Sequence, residues 1–279
     1  PFFTAIAPAP ANIFMGLLIA AYLVKMLLYR TPLFSLTPLN FTLLIFFGFV
    51  CLSMFNSICI ADSLKGGFLR LLQYLFLLWI TAREIRNRTH CRILIGAIAF
   101  SCALISIDSI WQVFTGKDFI RHYAPVINLG IIRATASFKD SNLLGIYLSA
   151  VAPLFIGLAL FFYRGRKRFL MAMTGILALT GIFLTYSRPT YLALFMVFLI
   201  FAIVRKNMKL CIFLLCVCII APFATPRAVK DWAKSVDYNP VRFMCNDDRI
   251  AIFRNSMRMI EQHPLIGVGT NTFMKNYAR

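Results

Sequence analysis

From Phe169 to Val204 the chain carries a single charged side chain, Arg188. A helical membrane crossing takes about 20 apolar residues, so this block is too long for one crossing and barely long enough for two. A hairpin resolves the length if its turn is Ser187-Arg188-Pro189. Proline cannot continue the first helix, but its fixed φ suits the first turn of the second. An arginine at mid-bilayer costs about 2.5–3.5 kcal/mol or more; at the turn its guanidinium reaches water or an anionic headgroup.

The same reading along the rest of the chain places candidate spans at about 11–29, 39–58, 66–82, 93–114, 142–163, 169–187, 189–204 and 209–225. The third is interrupted by Arg70 and Gln73. With 60% hydrophobic and only 14% charged residues over 279 positions, against about 25% charged in soluble domains, a soluble helical domain is excluded. The expected fold is all-α: a polytopic helical membrane protein of about eight transmembrane helices and a partly helical outer loop. The bundle is expected over 1–225 and the start of a large loop over 226–279. The chain opens at Pro1 with no basic stretch before its first apolar run, and stops at "KNYAR" without a closing element. It reads as a piece of a longer protein.

Lysine and arginine set the expected orientation. Lys25 and Arg30, then Arg83, Arg86, Arg88 and Arg92, then Arg164, Arg166, Lys167 and Arg168, then Arg205, Lys206 and Lys209 occupy alternate short loops, with Glu84 the one acid among them. This is a positive-inside pattern. The remaining loops, with the Arg188 turn and the tail from about 226, are then outside.

The net charge of +19 therefore follows in part from topology. No soluble basic domain or aromatic-basic platform accompanies it, so nucleic acid is not an expected partner. The eight cysteines show no CxxC pair or metal-ligand spacing. Cys51, Cys59, Cys102, Cys211, Cys216 and Cys218 fall in apolar spans, Cys91 lies beside one, and Cys245 stands alone in an outer loop. No metal and no cofactor is expected.

Chemistry is expected at the outer face. The fifth span opens in "GIIRATASFKDSNLLGIYL", where Asp140, Ser141 and Asn142 are N-cap candidates behind Arg133 and Lys139. The seventh opens at Ser187-Arg188-Pro189. In the tail, "NDDRIAIFRNSMRMIEQHP" reads as an amphipathic helix capped by Asp247 or Asp248, with Ile250, Phe253, Met257 and Ile260 as its apolar stripe and Arg249 in its first turn. Free N–H groups at helix starts and guanidinium forks both suit phosphate. An anionic phospholipid or a lipid-linked diphosphate is the expected ligand. The competing reading is that such arginines only snorkel to headgroups, and Asp247 and Asp248 can neutralise Arg249 locally.

Other residues receive plainer expectations. Gly145, Ser149, Pro153 and Gly157 recur every four residues and give one small face for close helix packing. Asp108, late in the fourth span, is either functional or paired with a nearby basic group. Trp79, Trp111 and Trp232 read as interface anchors. His263 precedes Pro264 and reads as a turn-former; nothing near His122 supports its use as a base, and His90 falls on the inner side.

The order of "RATASFKDSNLLGIYL", "TYSRPTYLAL" and "DDRIAIFRNSMRMIEQHPLIGVGTNTF" resembles the O-antigen ligase and polymerase superfamily of bacterial membrane glycosyltransferases. The first motif departs from the family's glycine-rich form. The resemblance implies about a dozen membrane helices with a large periplasmic loop, in the bacterial inner membrane. It implies metal-independent, inverting transfer of a glycan from undecaprenyl diphosphate to an acceptor hydroxyl. For a ligase the acceptor is the lipid A core; polymerases and protein O-oligosaccharyltransferases share these motifs. Arg188 and Arg249 are then the catalytic arginines on the diphosphate, with Arg133, Lys139, Asn142 and Ser187 as substrate-binding residues. The family's catalytic histidine is implied beyond the "GVG" segment, outside this sequence. A lipid or polysaccharide transporter is the alternative from another class, and would show inverted repeats with midplane polar sites.

Overall fold

The computed structural model describes residues 8–30, 39–85, 87–128, 130–206 and 247–277. It is almost wholly helical: α1 (Pro8–Tyr29), α2 (Asn40–Phe55), α3 (Ile60–Ser63), α4 (Leu69–Glu84), α5 (Arg88–Thr115), α6 (Ser141–Gly157), α7 (Gly165–Thr185), α8 (Arg188–Val204), α9 (Asp247–Gln262) and α10 (Phe273–Tyr277). A π-helical turn over Leu64–Phe68 joins α3 to α4, and another over Leu158–Phe162 ends α6.

Among the described residues, four helical stretches are long and apolar enough to cross a membrane: Pro10–Tyr29, Arg88–Thr115, Ser141–Phe162 and Gly165–Thr185. The expected count of about eight is therefore met only in part. α2 and α8 are apolar but shorter; α8, with 17 residues, is about 26 Å long, under the roughly 30 Å of a hydrocarbon core. The third expected span lies in the helix that runs on from α3, and the eighth, 209–225, lies outside the described residues.

The chain divides into two compact units, one of Pro1–Ala11 with Arg92–Met244, the other of Asn12–Cys91 with Cys245–Arg279. In the first, Cys102 and Ile105 of α5, Leu144, Leu148, Ala152 and Phe155 of α6, and Ala178 and Ile182 of α7 form the core. Small residues let the helices approach. A Cβ on Gly181 would meet Leu148 at 2.7 Å, and one on Gly175 would meet Ile156 at 2.7 Å. Gly145 faces the Thr190 side chain and Gly157 faces Phe201, so the small face of α6 packs against α8 as its spacing predicts. Ile146, Phe183 and Ile200 are exposed, the side chains a lipid-facing surface requires. At one end of this unit Arg205 lies 4.7 Å from the Phe161 ring, so the end of α8 meets the end of α6 beside the Arg164–Arg168 run.

The opposite end carries the one departure from an all-α fold among the described residues. Val126–Asn128 and Ile131–Arg133 pair as a short antiparallel hairpin, with Val126 opposite Arg133. Gly130, at φ +71°, serves its turn. The hairpin returns the chain to the bundle, where the Ala134 N–H donates to the Leu184 carbonyl at 2.9 Å.

In the second unit, Lys25 of α1 and Glu84 of α4 form an ion pair at 2.7 Å. Trp79 is corrected from interface anchor to core: it is buried, packs edge-on against Phe76, and donates its indole N–H to Asn40 at 3.2 Å. The segment from His263 to Tyr277 docks on the helix turn between Asn56 and Gly67. Asn56 Nδ2 donates to the Gly267 carbonyl at 2.8 Å and meets His263 Nδ1 at 2.9 Å. Ser63 Oγ donates to the Thr270 carbonyl at 2.8 Å. The π-helical turn presents Gly66 against Asn271 and Gly67 against Thr270, closely enough that any side chain there would collide.

Candidate functional site at the starts of two helices

The turn between α7 and α8 forms as its residues dictate. α7 ends at Thr185, Tyr186 takes the left-handed conformation at φ +47°, and Ser187 is extended as the cap of α8. Arg188 is the first residue of α8, half-buried, with Pro189 in the first turn. Asp140 caps α6, accepting the Asn142 N–H at 3.2 Å; no candidate further along is needed.

These two helix starts are bonded together. Asn142 Oδ1 accepts from Ser187 Oγ at 3.0 Å and from Arg133 Nη2 at 3.2 Å. Arg133 Nε donates to the Thr185 carbonyl at 2.9 Å. Thr190 Oγ1 donates to Ser187 Oγ at 2.9 Å, and the Ser187 N–H to Thr185 Oγ1 at 3.2 Å. Arg133, Asn142 and Ser187 thus come together, with Arg188 the next residue. Each helix start contributes about half a positive charge, and the guanidiniums of Arg133 and Arg188 add two full ones against the single carboxylate of Asp140 at the α6 cap. The arrangement is suited to an anion.

Lys139 stands apart from this cluster. It is exposed and lines a neighbouring cleft with Tyr123, Ala124, Thr135 and Phe138. Arg249 belongs to the second unit, half-buried in the first turn of α9. The side chains of Asp247 and Asp248 lie outside the description. In α9, Phe253, Met257 and Ile260 are exposed within their own unit.

Sequence reasoning missed the buried polar network beneath the loop from Gly116 to Asp140. Gln112, fully buried, donates to the Tyr123 carbonyl at 2.9 Å and to Thr135 Oγ1 at 3.0 Å, and accepts the N–H groups of Thr135 and Ala136 at 2.8 and 2.9 Å. Among the described residues Asp108 forms no ion pair; it accepts the Phe119 N–H at 2.9 Å and Ser137 Oγ at 3.2 Å. Asp118 accepts the N–H groups of Arg121 and Tyr123. A glutamine in an apolar helix was the available signal. Among the described residues, no three His, Cys, Asp or Glu side chains gather as a metal site.

Residues 173–279 match the O-antigen ligase family model, Wzy_C.

No curated protein and no solved structure matches the chain. The O-antigen ligase match, with the apolar helices, supports a membrane protein and a glycosyltransferase-type enzyme of the O-antigen ligase and polymerase superfamily. The matched stretch contains Ser187, Arg188 and Arg249. Arg133 and Asn142 precede it, yet hydrogen bonds tie them to Thr185 and Ser187 inside it.

Proposed function

We propose that the protein is an O-antigen ligase that moves a glycan from undecaprenyl diphosphate to a hydroxyl of the lipid A core at the periplasmic face of the bacterial inner membrane. The observation that supports this best is the joining of the α6 and α8 starts through Asn142 and Ser187, beside Arg188, within a chain whose later part matches O-antigen ligase. The acceptor oxygen attacks the anomeric carbon with inversion. The carbon–oxygen bond to the diphosphate breaks, and its electron pair leaves with the diphosphate.

Arg188 holds the diphosphate and stabilises the charge that grows on it. Arg133, Asn142 and Ser187 position that guanidinium and bind the lipid phosphate. The resemblance of its motif assigns Arg249 to the same diphosphate. The hydroxyl proton goes to a base that the resemblance places beyond Gly269. No metal takes part. A polymerase or a protein O-oligosaccharyltransferase would run the same donor chemistry on another hydroxyl, so assays with core, lipid-linked glycan and peptide acceptors separate the three. Loss of transfer by full-length Arg188→Ala, with normal membrane insertion, is the expected result.

A further inference from the structure

Beside the anion cluster lies a cleft of about 310 Å³, walled by Tyr123, Ala124, Thr135, Phe138 and Lys139. This is at the small end of ligand pockets, about 300–1,000 Å³. Its position is fixed by the chain. Thr135 comes two residues after Arg133, and Lys139 three residues before Asn142. Three residues reach at most about 10 Å, so the cleft adjoins the cluster.

The cleft is built rather than incidental. Gln112 pins both of its walls, bonding to Tyr123 on one side and to Thr135 and Ala136 on the other. Phe138 is braced by the Tyr147 ring at 5.7 Å, and its N–H donates to the Thr135 carbonyl at 3.0 Å. Arg121 lies 4.6 Å from the Tyr123 ring centre and donates to the Ser137 carbonyl at 3.3 Å. The aromatic side chains of Tyr123 and Phe138 line the cleft, and such rings suit the C–H faces of a pyranose. Lys139 is exposed, and among the described residues no hydrogen bond or ion pair engages its ammonium, so it has a full charge to give to an anion.

We propose that this cleft is a subsite for a sugar bearing a carboxylate or phosphate, with its ring against Tyr123 and Phe138 and its acidic group on Lys139. The assignment rests on the glycosyl-transfer reading above. Such a sugar belongs either to the donor glycan or to the acceptor core.

The test is a saturation-transfer NMR titration of the full-length protein in nanodiscs. The probes are the free donor oligosaccharide, the free core oligosaccharide, and the carboxyl-reduced or dephosphorylated form of each. One acidic probe should bind, and Lys139→Ala should weaken it about tenfold while leaving its neutral form unchanged. Tyr123→Phe should retain binding and Tyr123→Ala should lose it, with elution profiles unchanged. Which probe responds identifies the source. Equal binding of acidic and neutral forms, or an unaltered Lys139→Ala, overturns the proposal. The titration contains no lipid carrier, so its outcome is independent of whether Arg188→Ala abolishes transfer.

Discussion

The Ser187 hydroxyl donates to the Asn142 side-chain oxygen at 3.0 Å, joining two helix starts across 45 residues of chain. Arg133 donates to the same oxygen. One amide oxygen therefore holds a buried serine and a guanidinium in place next to Arg188.

Asn142→Ala should leave the buried Ser187 hydroxyl with one acceptor fewer and release Arg133 from α6. A destabilisation of about 1–3 kcal/mol is expected, read as a lower midpoint in a thermal melt, together with a large loss of glycan transfer. Ser187→Ala removes the donor to the same oxygen, so combined with Asn142→Ala it should cost less than the sum of the two single losses. Fully additive losses would mean that the bond through the shared oxygen is not what matters.

Gln112 gives a sharper stability test. Gln112→Leu is similar in size and strips the side-chain hydrogen bonds of Gln112, leaving the Thr135 and Ala136 N–H groups and the Tyr123 carbonyl without that partner. A cost of about 3 kcal/mol or more is expected. Hydrogen exchange should quicken over the loop from Gly116 to Asp140 while α6 and α7 stay protected. Uniform protection of that loop in the variant would contradict this role.

What could be read in advance follows a physical divide. The Ser187-Arg188-Pro189 turn, the Asp140 cap and the small face around Gly145 announce themselves because each depends on residues within a few positions. The bonds of Gln112 reach up to 24 residues along the chain, and those of Ser63 reach 207; no local pattern encodes such pairings. Trp79 looked like an interface anchor because its partner Asn40, 39 residues away, shows only in the fold. The Val126–Arg133 hairpin is too short to show alternation against the apolar background.

The docked segment of the second unit predicts a specific suppression. Gly67→Ala places a methyl group on the Thr270 side chain and should expose the stretch from Thr270 to Asn276 to rapid hydrogen exchange. Adding Thr270→Gly removes the obstacle and should restore protection. If the single variant is as protected as the parent, the close approach is not required.

The ion pair between Lys275 and Asp62 makes that docking tolerant of pH. The Lys275 ammonium, by hydrogen bonding, holds the Asp62 carboxyl below its usual 3.8, and Asp62 in turn holds Lys275 above its usual 10.5. The carboxylate contribution is complete above pH 3.8 and is lost as pH falls through the lowered value. The ammonium contribution is complete below pH 10.5 and is lost as pH rises through the raised value. Exchange protection of α10, corrected for intrinsic rates, should therefore stay flat from about pH 5 to 9. A step within that window would assign the docking to another group.

The central claim is that Arg188 grips the diphosphate of a lipid carrier and stabilises its departure. The direct measurement is in vitro transfer from undecaprenyl-diphosphate-linked glycan to purified lipid A core by the full-length enzyme. Arg188→Ala should lower the rate by about 10²-fold or more, and Arg188→Lys, which keeps the charge but loses the fork, should recover only part of it. Wild-type transfer by a correctly inserted Arg188→Ala protein would contradict the account.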